Sequence, residues 1–172
     1  MRNALALILP LFVLCACAGP QVPATKLEAA NVLPITLDDR YQFRKQKLDF
    51  FDDETQRDVV TQSEAAQFMM AQRRWGALDN LDLRQRAGNY YSFFWRTNTG
   101  EDVTVRLEYR QAGLGNYVMA QERYYPAAKG SYQSNFQVIG DDYLENGRVT
   151  AWRALLIVDG KIVGLTQSYI WR

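Results

Sequence analysis

Histidine is absent from the 172-residue chain. That absence excludes Ser-His-Asp and Cys-His hydrolysis, imidazole acid-base chemistry and His-containing zinc sites. Cysteine occurs only as Cys15 and Cys17, so no disulfide joins two points in the body of the chain, and the fold must rest on its apolar core. A phosphate-cradling glycine loop is also missing: Gly113-Leu114-Gly115 lacks the later glycine and following helix that such a loop requires, and reads as a hairpin turn. The apolar run from Ala4 to Leu14 is about half of the roughly 20 residues needed to span a membrane as a helix, and Pro10 interrupts it. Charge of one sign is lacking too. A formal net charge of +1 gives no whole-domain field that favours nucleic acid, which is discarded as a partner.

What is present at the amino end has the order of a secretory signal: a basic start at Arg2, an apolar run, then small residues. Leu14-Cys15-Ala16-Cys17 resembles the lipobox of bacterial lipoproteins, with Leu14 three residues before Cys17 and Ala16 directly before it. Cys15 is the poorer acceptor, because Leu14 stands where a small residue is wanted. The resemblance implies removal of residues 1–16, a diacylglyceryl thioether on Cys17 and a further acyl chain, such as palmitate, on the new amino group. Buried methylenes contribute about 0.8 kcal/mol each, so two or three chains hold a protein at a membrane. Ala18 follows the cysteine where lipoproteins kept in the inner membrane carry Asp, which implies the outer membrane. With Arg2 gone from the 20 basic side chains, the rest balance the 19 acidic ones. Pro20, Pro23 and Pro34 make residues 17–35 a lipidated cysteine followed by an extended, flexible tether. Residues 36–172 read as one domain, with no internal repeat.

Thr61 and Glu64 form a capping-box pair, and Ala65, Phe68, Met69 and Trp75 follow on one helical face before Gly76, so a helix is expected at about 61–76 with that stripe in the core. After Gly88 the period becomes two. Val103, Val105, Leu107 and Tyr109 alternate with Thr104, Arg106, Glu108 and Arg110, and Tyr132, Phe136 and Val138 alternate with Gln133, Asn135 and Gln137. Further strands are expected at Tyr41 to Phe51, Tyr90 to Arg96, Tyr117 to Tyr125, Ala151 to Val158 and Ile162 to Trp171. The Ala151 strand is apolar on both faces and so covered twice, and Asp159-Gly160 is a two-residue hairpin turn. Asn98-Thr99-Gly100, Gly113-Leu114-Gly115, Pro126 to Gly130, Gly140 and Asn146-Gly147 separate strands. The fold class is therefore mainly β: an antiparallel β-sandwich with one N-terminal helix. The closing strands resemble those of immunoglobulin and fibronectin III-like modules, without paired cysteines or a tyrosine corner. A curved antiparallel meander packed on the helix is the alternative.

Carboxylates are the remaining reactive groups. Asp141 and Asp142, with Tyr143 beside them and Glu145 nearby, suit either a hard-cation or paired-acid site or a polar loop between strands. Asp52-Asp53-Glu54 reads as a helix start or solvated turn. Aromatic residues concentrate in Tyr90-Tyr91-Ser92-Phe93-Phe94-Trp95. Strand alternation sets Tyr91, Phe93 and Trp95 on the face opposite Tyr90 and Phe94. Tyr91, Phe93 and Trp95 are candidate binding residues for a glycan or protein if their face is open, and core residues if it is covered. Arg106, Glu108 and Arg110 read as an exposed ladder of charge pairs. No catalytic residue, cofactor or metal is implied. The function expected is a non-catalytic, membrane-anchored envelope module that binds a protein or polysaccharide. The alternatives are a carboxylate-dependent hydrolase or lyase, and a lipid-carrying barrel with a large apolar cavity.

Overall fold

A computed structural model describes residues 22–27, 30–51 and 79–171. The signal segment with Cys17, the acidic run from Asp52 to Glu54 and the helix expected at about 61–76 lie outside the described residues. The strands β1 (Thr25–Leu27), β2 (Tyr41–Phe51), β3 (Gly88–Gln111), β4 (Met119–Ile139), β5 (Val149–Val158) and β6 (Lys161–Gln167) form one antiparallel sheet. Its order is β1-β4-β3-β5-β6, with β2 also paired to β3. Among the described residues two short α-helices, α1 (Asn80–Arg86) and α2 (Asp141–Asn146), accompany it. The mainly β, antiparallel class expected from the alternation is the one that folds. A single bent sheet serves the sandwich and the curved meander alike, because a hairpin that doubles over carries facing layers without breaking its ladder.

Two of the expected turns do not reverse the chain. β3 and β4 run through Asn98-Thr99-Gly100 and Pro126 to Gly130, pairing from Gly88 with Ile139 to Tyr109 with Met119. The two irregular stretches fall opposite each other: Thr97 faces Gly130, Glu101 faces Ala128 and Val103 faces Tyr125. Turn-forming residues on both strands of one pair kink the ladder instead of ending it. Ala127 and Gly130 have positive φ, 45° and 109°, and Asp102 fastens the kink from the other strand. Its carboxylate accepts the Tyr124 hydroxyl and, at 2.8 Å, the Ala127 amide. These donors, the hydroxyl first, hold the Asp102 carboxyl below the ordinary aspartate range. The chain does reverse at Gly113-Leu114-Gly115 and at Asp159-Gly160. The latter pair takes φ of 48° and 70°, as a two-residue hairpin requires.

β2 and β5 share one edge of β3, on either side of the kink: β2 pairs with residues 88–97 and β5 with residues 104–111. Inward side chains of the two halves then meet. Phe93 and Tyr91 lie 5.4 and 6.0 Å from the Trp152 ring centroid, and Gln121 Nε2 donates to the Gln137 carbonyl in the other half of its own strand at 2.9 Å. Trp95 Nε1 donates to Ser134 Oγ at 2.9 Å, and the Tyr125 hydroxyl bonds the same atom at 2.7 Å, which gives these three buried polar groups partners. β5 is covered twice, as its composition implies. Trp152, Ala154, Leu156 and Val158 enter the main core, while Leu155 and Ile157 pack with Ile162 beneath Leu33.

Leu33 belongs to the stretch expected to be a free tether, and the described part of that stretch is bound to the sheet. β1 pairs with β4. Beyond it the Ile162 amide donates to the Pro34 carbonyl, and the Thr36 and Asp38 amides donate to β6 carbonyls at 2.8 and 2.9 Å. Proline keeps a segment extended, and an extended segment can still join a sheet through its other residues. The same strap changes the reading of the charged ladder. Arg106 and Glu108 are only 7% and 2% exposed, not a solvated row. Arg106 Nε bonds Glu122 at 2.6 Å, Arg153 Nε bonds Glu108 at 2.6 Å, and Arg106 Nη1 lies 3.5 Å from Glu108 and donates to the Asn31 carbonyl at 2.9 Å. The guanidiniums of Arg110 and Arg153 lie 4.7 and 5.0 Å from the ring centroid of Trp171, near the end of the chain. Alternation placed these charges on one face, but it carries no information about the strap and the tryptophan that cover them.

Two outcomes follow. Glu108→Ala leaves two guanidiniums without their shared carboxylate and is expected to lower unfolding free energy by about 3–5 kcal/mol in urea titration, whereas replacing Arg106, Glu108 and Arg153 together by Met, Leu and Met restores most of it. A carboxyl depressed by native hydrogen bonds stabilises the fold above its ordinary pKa and loses that contribution as pH falls through the folded value. Thermal melts from pH 7 down to about pH 2 should therefore show an acid limb that Asp102→Ala makes shallower.

Candidate functional site

The kink decides which face of β3 is available. Tyr91, Phe93 and Trp95 are 4%, 0% and 1% exposed; they are core, and the docking row they would have formed does not exist. Trp95 stacks on Tyr132 at 4.7 Å and meets Tyr125 edge-on at 5.2 Å, and burial pushes the Tyr91 phenol well above its ordinary pKa. The alternate set, Tyr90, Ser92, Phe94 and Arg96, faces outward.

Cross-strand register turns that set into a grid. Arg96 lies between Gln42 and Ser131, Phe94 between Lys45 and Gln133, Ser92 between Lys47 and Asn135, and Tyr90 between Asp49 and Gln137. All of these residues are exposed or half-buried. At about 3.4 Å per residue and about 4.8 Å between strands, the face measures roughly 20 by 10 Å. Lys47 pairs with Asp49 at 2.9 Å, the Lys45 ammonium lies 6.0 Å from the Phe94 ring centroid, and Arg96 Nη2 donates to Gln42 Oε1 at 3.2 Å. Gln133 donates to Asn135 at 2.8 Å, and the Tyr90 hydroxyl to the Arg86 carbonyl at 2.6 Å. A groove of about 270 Å³ lies at the Arg96 end, between Arg40 and Ser131. A larger one of about 490 Å³ lies over Lys47, Ser92, Asn135 and Gln137.

Arg123 reaches the larger groove from the other half of β4. Its guanidinium lies 5.5 Å from the Phe136 ring centroid, and its Nε is buried without a hydrogen-bond partner. Burial draws its pKa down, against a smaller upward pull from Tyr125. The groove thus holds a guanidinium with no carboxylate partner among the described residues, the Lys47–Asp49 pair, amides, hydroxyls and the half-buried Tyr90 ring, a set suited to hydrogen bonding rather than to proton transfer between paired acids.

The acidic candidates serve the fold instead. Asp141, Asp142 and Tyr143 begin α2, not an open loop. The Asp142 carboxylate pairs with Lys26 of β1, and its carbonyl, with that of Gly147, accepts Gln111 Nε2 at 2.8 and 3.0 Å. Tyr143 packs edge-on against Phe50 at 5.8 Å. Among the described residues no group of three or more acidic or cysteine side chains could hold a metal ion, so the cation-site reading of Asp141, Asp142 and Glu145 finds no support there. Lys45, Lys47, Gln133, Asn135 and Gln137 were absent from the sequence-derived candidates, although the polar positions alternating with Phe136 and Val138 already marked half of the outward face.

Comparison with family models, with curated proteins and with solved structures finds no match to this chain, so its chemistry is read from the chain itself.

The two faces of β3 are expected to respond differently to truncation. Trp95→Ala should cost about 3–5 kcal/mol of unfolding free energy, while Phe94→Ala, one residue away, should cost under about 1.5 kcal/mol because it leaves no enclosed cavity. Urea midpoints of the two variants check this.

Proposed function

We propose that the protein is an envelope lipoprotein, anchored through acyl chains on Cys17, whose β domain is a non-catalytic module that binds a polysaccharide through the outward face of β2, β3 and β4. The lipobox resemblance supports the anchor, and Ala18 supports the outer membrane. The observation that carries the binding function is the composition of the grid: amide and hydroxyl groups on adjacent strands, Tyr90 and Phe94 four positions apart, and Asp49 as its one carboxylate, already paired with Lys47. Sugar rings present hydroxyls at their edges and apolar C–H faces, which such a surface satisfies. A glycoside hydrolase needs two carboxyl groups facing each other across the bond it breaks, and the grid offers one.

Two measurements test this. Wild-type protein expressed in a Gram-negative host should incorporate labelled palmitate and fractionate with membranes, and Cys17→Ser should do neither; equal fractionation of both overturns the anchor. Solubilised protein should be retained on insoluble envelope polysaccharide, and Phe94→Ala/Asn135→Ala should lose at least about tenfold of that retention, the effect of two lost contacts of about 1 kcal/mol each. Unchanged retention overturns the assignment of this face.

A further inference from the structure

We propose that the ligand of the outward face is an acidic polysaccharide, lying along β3 with one carboxylate held by Arg96 and another by Arg123. This rests on the reading of that face as a glycan surface and adds the charge of the ligand. The chain as a whole is nearly neutral, with a formal net charge of +1, yet its charges are unevenly matched. On the far side of the sheet, Arg106 and Arg153 are bonded to Glu122 and Glu108. Among the described residues, the outward face carries Lys45, Lys47 and Arg96, with Arg123 reaching the edge of its larger groove, against two carboxylates: Asp49, which is taken by Lys47, and Asp39 in the groove at the Arg96 end.

The two arginines are the positions most open to an anion. Arg96 has the neutral Gln42 amide as its hydrogen-bond partner. Arg123 is half-buried, is drawn over Phe136 and leaves Nε unsatisfied. A guanidinium presents N–H donors in a planar fork that matches a carboxylate, and a partly desolvated one gains more from that pairing than a solvated one. Between them, Ser92, Gln133 and Asn135 supply neutral donors and acceptors for sugar hydroxyls.

Spacing sets the size of the ligand. Arg123 adjoins the Asn135 and Gln137 rungs, and Arg96 lies at the Ser131 rung. Four residue steps lead from Ser131 to Asn135, about 14 Å at ~3.4 Å each. An extended oligosaccharide covers that span and a single monosaccharide does not. A polynucleotide fits less well: it carries a charge on every phosphate and would set some of them beside Asp49 and over the uncharged amides.

The test uses solubilised full-length protein and measures binding to polygalacturonate, alginate and hyaluronate, each beside its methyl ester, with a single-stranded oligonucleotide as a further arm. The acids are expected to bind at least about tenfold more tightly than their esters and to weaken with added salt. Arg96→Gln and Arg123→Gln should each lose about tenfold toward the acids and much less toward the esters, so that the ratio of acid to ester affinity falls. Arg96 is exposed, so its variant remains informative if Arg123→Gln folds poorly by near-UV circular dichroism, and Lys161→Gln on the far turn controls for loss of charge alone. Equal binding of acids and esters overturns the carboxylate assignment while leaving the glycan surface standing. Binding of neither class overturns both, and tighter binding of the oligonucleotide replaces the ligand class.

Discussion

Two long antiparallel strands cannot bury their own side chains against one another unless the ladder between them bends. In this protein the bend is made where Thr97 to Glu101 in β3 meets Ala128 to Gly130 in β4, with Asp102 reaching across to the Ala127 amide and the Tyr124 hydroxyl. The bend turns the Tyr91, Phe93 and Trp95 face toward β5, assigns Tyr90, Ser92, Phe94 and Arg96 to the outside, and leaves one edge of β3 for β2 and β5 to share. The core and the candidate site are two sides of this one deformation.

Much of the strand content was legible because alternation depends only on neighbouring residues. Tyr41 to Phe51 and Ala151 to Val158 fall within or on their structural bounds, and Asp159-Gly160 is the turn its residue types require. The misreadings share a cause. Gly100, Pro126 and Gly130 are the residues of a turn, but whether such residues reverse a chain or kink it depends on what they face across the ladder, and pairing between distant segments is invisible to local pattern. The same holds for Arg106 and Glu108, whose cover comes from Asn31 and its neighbours. It holds again for the choice between two aromatic sets on β3, where the sequence states that they diverge without stating which is buried. Asp141 and Asp142 likewise gave no local sign that Lys26 would claim one of them.

The sheet treats charge in two ways. Beneath the strap and Trp171, the buried guanidinium of Arg106 and the half-buried one of Arg153 each meet a carboxylate at hydrogen-bond distance, since a lone buried charge would cost several kcal/mol. Across the outward face no such requirement applies to the exposed lysines and Arg96, which are not matched one for one by the carboxylates of Asp49 and Asp39. Arg123 stands between these regimes, partly buried and with no carboxylate partner among the described residues.

The strap has a mechanical consequence. A load entering at the amino end meets β1 first, a ladder of three residues on β4, then the hydrogen bonds that the Pro34 carbonyl accepts from β6 and the Thr36 and Asp38 amides donate to it, and only afterwards the kinked hairpin. Short ladders in series yield one at a time, so tension strips the strap before it deforms the core. Detachment at that stage bares Leu155, Ile157 and Ile162 and takes the Asn31 carbonyl from Arg106, which turns the strap into a fuse between a tug on the amino end and the folded body behind it.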